Sequence, residues 1–373
     1  DAGEGTITVS GSGSETAAVT LDIAEESINL FERYRLFYLD FFNQYRSNFI
    51  KSRFIAHTER IGSEINIISE TIKNKKMIKK KFRNEEDEIV SKTLITMTKL
   101  YIGSCIYCFV ISEIAKNYSQ VDKFWSTIPI VYVWYFAISS DMNSRMVLMA
   151  ILATLWGVRL TLNFARRGGF SIYFWRGEED YRWVEVRKTM PFLSGRFAWA
   201  LFNLFFICFY QMGLIFLFTL PILAAWQGAF IPLFWGDYLI AFFMFLFIVL
   251  ETISDQQQYE FQTEKYRLIG EGKKLDGDYK LGFRTTGLWS ISRHPNFACE
   301  QAVWVMFYLF SVSATGQWIN WSIMGCLLLI VLFYNSARFS EDISSRKYSD
   351  YKKYIENVPM FFPFLGFSKK NWK

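Results

Sequence analysis

Histidine and cysteine are scarce in this sequence. Only His57 and His294 occur among 373 residues, and two histidines cannot build a histidine-rich metal site. The five cysteines lie in or beside apolar runs without disulfide-type spacing, and Cys105 and Cys108 form a C-x-x-C pair inside such a run. We therefore predict no metal and expect the cysteines to serve packing rather than redox chemistry.

A concentrated basic patch is also missing. The formal net charge is +6, and Lys and Arg lie in separate segments that flank apolar runs. This distribution is typical of side chains at a membrane interface. The sequence therefore argues against nucleic-acid binding and predicts membrane lipids as partners.

Apolar and aromatic residues, by contrast, are abundant. The chain is 51% hydrophobic and 19% aromatic, with 38 phenylalanines. This composition is typical of a polytopic membrane protein. We predict an all-α fold: a membrane helix bundle of about six to seven transmembrane helices, with an amphipathic helical extension at its N-terminus. The predicted spans are 93–115, 125–140, 146–164, 197–218, 238–253, 300–314 and 319–335.

The first 92 residues (1–92) differ from the rest and are predicted to form a soluble or peripheral extension. Residues 1–20 are a Gly/Ser/Thr-rich tail, 21–69 carry an amphipathic helical pattern, and 73–88 are a charged linker. The transmembrane domain then covers 93–373. The aromatic face of the extension predicts either a helical hairpin packed on itself or a docking surface for a protein partner.

Charged loops predict the orientation of the second half of the chain. Segments 165–196, 255–294 and 338–373 are rich in Lys and Arg, whereas the turns 219–237 and 315–318 contain neither. The positive-inside rule places the three charged segments on one side of the membrane. The topology of the first half stays open, because both an odd and an even number of spans are compatible with the sequence.

Three predicted membrane helices carry polar residues at helical spacing, close to these charged loops. Residues three or four apart share one face of a helix, so each set forms a stripe. Arginines suit phosphates, and carboxylates suit ribose hydroxyls or amide groups, so the stripes predict a polar cofactor cavity. The alternative is that Arg159 snorkels to the interface and Glu251 marks a helix end. The stripes are Arg159, Asn163, Arg166 and Arg167 on the third helix, Glu251 and Asp255 on the fifth, and Asn296 and Glu300 on the sixth.

The segment from Gly287 to Glu300 predicts where the sixth helix begins. Proline is favoured in the first turn of a helix, so we expect the helix to start at Pro295. Asn296 and Glu300 then lie on one face, and a carboxylate one turn inside a membrane helix is costly and usually functional. His294, just before the helix, is expected to be structural or to face a phosphate rather than to act as a general base.

Six ordered motifs between about residue 120 and residue 364 resemble the steroid 5-alpha-reductase superfamily. The closest branch comprises uncharacterised membrane proteins whose domain was labelled only as of unknown function. The motifs are Val121–Trp125, Trp156–Leu160, Asp180–Trp183, Glu251–Gln257, Thr286–Glu300 with its His-Pro-Asn…Glu pattern, and a tail with Tyr348, Tyr351 and Pro359 to Pro363.

The resemblance implies that the C-terminal half binds NADPH. Asp255, Asn296 and Glu300 match residues that contact the cofactor in the steroid reductases, and Arg284 matches a residue at its adenine-phosphate end. The implied reaction is hydride transfer to the β-carbon of an enone, followed by protonation of the α-carbon. Together with the polar stripes, this predicts a cofactor-binding set of Arg159, Asn163, Arg166, Asp255, Arg284, Arg293, Asn296 and Glu300.

The sequence departs from the family pattern at its catalytic positions. Trp156 stands where the steroid enzymes carry a tyrosine, and an indole can donate a hydrogen bond but cannot protonate an oxyanion. Asp122 is the only nearby acid that could replace their upstream carboxylate. Trp156 and Asp122 are therefore the remaining catalytic candidates, and Cys299 replaces the usual glycine before Glu300.

Three functions are compatible with these patterns. The first is a membrane-embedded NADPH-dependent reductase of a lipid or steroid-like enone or alkene. The second is a non-enzymatic accessory subunit of a large complex. A start at Asp1 rather than Met fits a trimmed subunit of the mitochondrial inner membrane. The endoplasmic reticulum is the other location that we expect. The third is an S-adenosylmethionine-dependent membrane methyltransferase, because the His-Pro-Asn…Glu pattern is also similar to the isoprenylcysteine methyltransferases.

Overall fold

The computed structural model describes residues 72–171, 173, 175–229 and 231–363, and within these residues the chain forms helices and turns but no strand. The helical prediction for residues 21–69 and the proposed docking surface lie outside the described residues. From Glu86 onward the chain forms one unit, which is the subject of the following description.

Within the described part of the chain, six helices are long and apolar enough to cross a membrane, whose hydrocarbon core takes about 20 apolar residues to span. This confirms the prediction of an all-α membrane bundle with about six to seven spanning helices. The spans are Asp87–Ala115 within helix α1 (Ile72–Ala115), α3 (Ser144–Ala165), the composite segment Arg196–Trp226, α8 (Trp235–Gly270), α10 (Pro295–Thr315) and α11 (Ile323–Lys347).

A further helix, α2 (Gln120–Ser139), packs along α3 and corresponds to the predicted span 125–140. Its start is tied to the loop after α3, because Gln120 Nε2 donates to Trp175 O at 3.1 Å. Beyond its other end, Asn143 Nδ2 donates to Ala229 O at 2.9 Å. The helix therefore runs the length of α3, although polar residues such as Lys123 keep it below the apolarity of the six spans.

The segment Arg196–Trp226 is built from successive pieces rather than one regular helix. It comprises α5 (Arg196–Phe202), a π-helical stretch (Asn203–Tyr210), α6 (Gln211–Thr219) and α7 (Pro221–Trp226). At the start of the π-helical stretch, Asn203 Nδ2 donates to Ser112 Oγ and to Glu113 Oε1 on α1, both at 2.9 Å. Because Asn203 is fully buried, these bonds satisfy a polar group that the membrane could not hydrate.

The short elements lie in the loops and the tail. Pro295 is the first residue of α10, as predicted, and Gly316 ends that helix with a φ of +70°. The tail packs against the start of α10, where the backbone N–H groups of Arg293 and His294 donate to Pro359 O and Met360 O. The remaining short elements are α4 (Tyr181–Thr189), a 3₁₀ turn (Pro191–Leu193), α9 (Gly277–Leu281), a 3₁₀ turn (Gly287–Ser290) and α12 (Tyr351–Asn357).

A buried ion pair joins α3 and α8 at the end of the bundle away from these charged loops. Arg145 and Asp237 form a bidentate pair, with Nε–Oδ1 and Nη2–Oδ2 distances of 2.9 Å. The remaining N–H groups of Arg145 donate to backbone carbonyls of the turn between α7 and α8, and Ser313 Oγ donates to Asp237 at 2.7 Å. Every charge in this pair is balanced, so it fastens α3, α8 and α10 together.

Candidate functional site

Three carboxylates from two helices surround a single buried arginine on α3. Arg159 Nη2 lies 2.7 Å from Glu251 Oε1 and 3.6 Å from Glu300 Oε2, and its Nη1 lies 2.8 Å from Asp255 Oδ2. All four side chains are almost inaccessible to solvent. The predicted polar stripes on α3, α8 and α10 thus meet at one point, which we call the Arg159 cluster (Arg159, Glu251, Asp255 and Glu300).

Amide and indole groups complete the shell of the Arg159 cluster. Asn163 Nδ2 donates to Asp255 Oδ2 at 2.8 Å, and Asn296 Nδ2 donates to Asp255 Oδ1 at 3.2 Å. Two indole N–H groups hold Glu300: Trp156 donates to Oε2 at 2.8 Å and Trp304 to Oε1 at 3.0 Å. Trp156, the catalytic candidate, is therefore bonded to a carboxylate of the cluster.

The cluster is unbalanced in charge and incomplete in hydrogen bonding. One buried guanidinium faces three carboxyl groups, and the next cation, Arg167, is 3.9 Å from Asp255 and half exposed. Three buried polar atoms at the cluster have no hydrogen-bond partner: Arg159 Nε, Glu251 Oε2 and Asn296 Oδ1. Buried polar atoms in proteins are normally paired, so these atoms indicate room for a ligand, water or proton.

A polar cavity of about 980 Å³ opens beside the cluster, between α8, α11 and the loop before α10. Asn296 lines the cavity and also bonds Asp255, so it connects the two. No carboxylate lies among the described residues that line the cavity, but five basic side chains do: Arg167, Lys265, Arg284, Arg293 and Lys347. This wall has the chemistry of a site for phosphate groups.

Aromatic side chains form much of the rest of this cavity. Tyr259, Trp289 and Tyr348 line it, and the guanidinium of Arg166 lies 4.3 Å from the centre of the Tyr259 ring. Flat aromatic faces beside cations can hold a heterocyclic base by stacking. The cations, the aromatic faces and the amide of Asn296 together suit a dinucleotide such as NADPH.

A second, apolar cavity of about 680 Å³ lies between α8, α10 and α11. Phe247 lines it and stands one helical turn before Glu251, while Gln301 lines it and directly follows Glu300. Phe361 and Phe362 of the tail also contribute to its wall. The Arg159 cluster is therefore linked to the polar cavity through Asn296, and its neighbours along α8 and α10 line the apolar cavity.

The other predicted cofactor residues take different positions. Arg166 donates to Asn163 Oδ1 and to Gln256 Oε1 at the exposed edge of the site. Arg284 lines the polar cavity and donates to Gln257 O. Arg293 also lines this cavity, but its guanidinium is held by Glu341, with Nε–Oε1 at 2.6 Å, and by carbonyls of the tail.

His294 lines the polar cavity but is bonded to Glu341, and Asp122 lies outside the Arg159 cluster. His294 Nε2 lies 2.9 Å from Glu341 Oε1, which agrees with the structural role expected for it. Asp122 lies beside the Asp180–Arg182 ion pair rather than in the Arg159 cluster. Burial, together with the Asp180 carboxylate, raises the pKa of Asp122 to about 6, although Arg182 opposes the shift. Asp122 is thus engaged apart from Trp156, the other catalytic candidate, which bonds Glu300.

Sequence reasoning left several residues of this region out of the predicted binding set. Glu251 was recognised in its stripe but not included in the set, and Trp304, Lys265 and Lys347 were not singled out. Trp304 lies four residues after Glu300, and that spacing is the one signal that could have indicated it. Among the described residues, no group of three or more His, Cys, Asp or Glu side chains is arranged to hold a metal ion.

Comparisons with known proteins identify relatives of this chain. A model of the family described as "Protein of unknown function (DUF1295)" matches residues 108–358. The chain is 36% identical to the uncharacterized protein C594.04c of Schizosaccharomyces pombe over 277 residues, which cover 68% of this chain and 75% of the relative. No solved structure matches it. The predicted branch of unknown function is thereby confirmed, while the link to the steroid reductases stays a prediction.

Proposed function

This chain belongs to the family of proteins of unknown function DUF1295, and from that premise we propose that it is a membrane-embedded reductase. The proposed enzyme binds NADPH and reduces a carbon–carbon double bond in a lipid or steroid-like enone or alkene. The observation that carries the proposal is the cation-lined, aromatic cavity that reaches the Arg159 cluster through Asn296.

The polar cavity supports dinucleotide binding. Arg167, Arg284 and Lys347 would hold the phosphates, because each contributes a positive charge to a wall without carboxylates in its described lining. The stacking faces of Tyr259 and Trp289 would hold the rings. Asn296 and Asp255 would bind the carboxamide end, since together they offer both a donor and acceptors. NADPH, when bound, supplies the hydride.

The apolar cavity supports a lipid-like substrate. It lies among membrane helices, its walls are almost wholly apolar, and Gln301 is the polar side chain within it. An apolar molecule entering from the bilayer would lose little by leaving lipid for such walls. The Arg159 cluster would then flank the point where the substrate and the nicotinamide meet, and Arg159 and the two indoles would exclude water and fix the carboxylates.

The hypothesis of a methyltransferase is less well supported. S-adenosylmethionine carries a positive sulfonium, an ammonium group and a single carboxylate but no phosphate, so it would pair with few of the five cations lining the cavity. The accessory-subunit alternative depends on residues 1–92 as a docking arm, and residues 1–71 of that arm lie outside the described residues. Location in the mitochondrial inner membrane or the endoplasmic reticulum is proposed on the sequence alone.

Ligand binding to the purified protein in detergent tests the proposal. We expect NADPH to bind and S-adenosylmethionine not to bind, measured by calorimetry. Lys347→Gln and Arg167→Gln should each raise the dissociation constant of NADPH about tenfold, because each removes a phosphate partner worth about 1.4 kcal/mol. Arg338→Gln is the matched control: Arg338 is an exposed cation on α11 that does not line the cavity.

Three results would overturn the proposal. The absence of NADPH binding at millimolar concentration would remove the enzyme class. Binding of S-adenosylmethionine that Lys347→Gln leaves unchanged would favour the methyltransferase instead. A purified protein that binds neither ligand but co-purifies with a stoichiometric partner would favour the accessory subunit.

A further inference from the structure

We propose that Glu251 holds a proton at neutral pH and supplies it to the substrate during reduction. Only the second part of this inference, the delivery of the proton to the substrate, rests on the proposed reductase function. Its first half, the protonated carboxyl group, follows from the geometry of the Arg159 cluster. Glu251 stands one helical turn after Phe247 of the apolar cavity and one turn before Asp255, which bonds Asn296 of the polar cavity, and its Oε2 is buried without a partner.

Charge balance requires the proton. If all three carboxyl groups were ionised, three negative charges would face the buried Arg159 and the half-exposed Arg167, so one buried charge would stay uncompensated and a single proton removes it. Such charges are costly inside a membrane protein, where neither water nor a counter-ion offsets them. In the Arg145–Asp237 pair of the same bundle, one buried cation meets one buried carboxylate.

The hydrogen bonds identify which carboxyl group carries the proton. Asp255 accepts from Arg159, Asn163 and Asn296, so both of its oxygens are used as an anion. Glu300 accepts from two indoles, one at each oxygen, and is likewise best satisfied as an anion. Glu251 accepts only from Arg159, through Oε1, and its free Oε2 is the atom that can bear a hydrogen.

The groups that face Glu251 agree with this assignment. They are Arg159 on α3, Glu300 and Cys299 on α10, and Asp255 on its own helix. The arginine is shared among three carboxyl groups, and both acidic neighbours repel a negative charge on Glu251. Since Arg159 Nη2 contacts both Glu251 and Glu300, the two glutamates share one donor and compete for its charge.

A proton at this position completes the proposed reaction. Saturating a carbon–carbon double bond adds one hydride and one proton, so the proton must come from the protein or from water. The O–H bond of Glu251 breaks as a C–H bond forms at the α-carbon, and the electron pair of the O–H bond stays on the carboxylate. Arg159, 2.7 Å away, stabilises that carboxylate until water from the polar cavity restores the proton.

Infrared difference spectroscopy tests the protonated carboxyl group without any cofactor. We expect the wild-type protein at pH 7 to show the carbonyl stretch of a buried carboxylic acid, although an ordinary glutamate with a pKa of about 4.3 is ionised there. Glu251→Gln should abolish this band. Glu260→Gln is the matched control, since Glu260 is an exposed carboxylate two and a half turns later on the same helix, and it should leave the band unchanged. A band absent from the wild type, or retained in Glu251→Gln, would overturn the assignment.

Binding and turnover separate this inference from the reductase proposal. Glu251→Gln should keep NADPH affinity within about twofold, because the amide mimics the neutral acid, while turnover of any accepted enone falls at least about a hundredfold. Glu251→Asp should restore part of the rate. Unchanged turnover in Glu251→Gln would sink the proton-delivery step. An infrared band in a protein that does not bind NADPH would instead contradict the reductase proposal while still supporting the protonated Glu251.

Discussion

Two buried arginines on the same helix, Arg145 and Arg159, have opposite surroundings. Arg145, near the start of α3, meets one carboxylate, Asp237, and all of its terminal nitrogens donate to protein acceptors. Arg159, about four turns later, meets three carboxyl groups and leaves its Nε unpaired. A saturated, balanced pair has nothing left to offer a ligand, whereas an unsaturated and unbalanced cluster has both free atoms and excess charge.

This contrast separates stability from function within one bundle. The Arg145 pair fixes the ends of α3, α8 and α10 at the side of the membrane away from the charged loops. The Arg159 cluster lies where the same three helices reach those loops and where the polar cavity opens. Burying charges inside the membrane costs free energy in the balanced pair and in the unbalanced cluster alike, but only the unbalanced cluster keeps polar atoms available for binding and chemistry.

The largest effect is expected from breaking the balanced pair. Arg145→Met leaves Asp237 buried without its partner, which should reduce the free energy of unfolding by about 3–5 kcal/mol. Thermal unfolding in detergent would show this as a lower melting temperature. The double variant Arg145→Met, Asp237→Leu should recover most of the loss, because no uncompensated charge remains; equal melting of the single variant and the wild type would contradict the structural role.

A smaller effect, on binding rather than folding, is expected at the unbalanced cluster. Asp255→Asn removes the charge that holds Arg159, Asn163 and Asn296, so NADPH should bind about tenfold more weakly, a change of about 1.4 kcal/mol. The melting temperature should fall less than in Arg145→Met. Glu264→Gln, at an exposed position of α8, serves as the control and should change neither the affinity nor the melting temperature. A larger loss of stability than of affinity in Asp255→Asn would contradict the assignment of the Arg159 cluster to binding.

The smallest effect concerns Asp122, a carboxyl group outside the six spans. Its pKa of about 6 in the folded protein exceeds its ordinary value of 3.8, so the folded state binds this proton more tightly than the unfolded chain. Stability from this group is therefore present below about pH 4 and is lost as the pH rises through 6. Asp122→Asn should melt with the wild type at low pH and be more stable at pH 7, on the order of 1 kcal/mol. A constant difference across the pH range would contradict the shifted pKa.

The sequence by itself determined the helical, membrane-spanning architecture and most of the Arg159 cluster. Long apolar runs predict spanning helices because the bilayer offers unpaired backbone groups no partner, and Pro295 predicts the start of α10 because proline suits the first turn. The stripes containing Arg159, Asp255 and Glu300 were readable because residues four apart share one helix face.

Only the tertiary structure decided how those stripes divide their roles. Arg145 and Asp237 are far apart in the chain and belong to no local pattern, so their pairing depends on the packing of α3 against α8. Arg293 was predicted to bind the cofactor, yet the packing of α11 and of the tail brings Glu341 and the Val358 carbonyl to its guanidinium, and Glu341 also bonds His294. Glu251 became distinct from Asp255 and Glu300 only when each carboxyl oxygen could be matched to its donors, because hydrogen-bond satisfaction is a property of three-dimensional packing rather than of spacing along a helix.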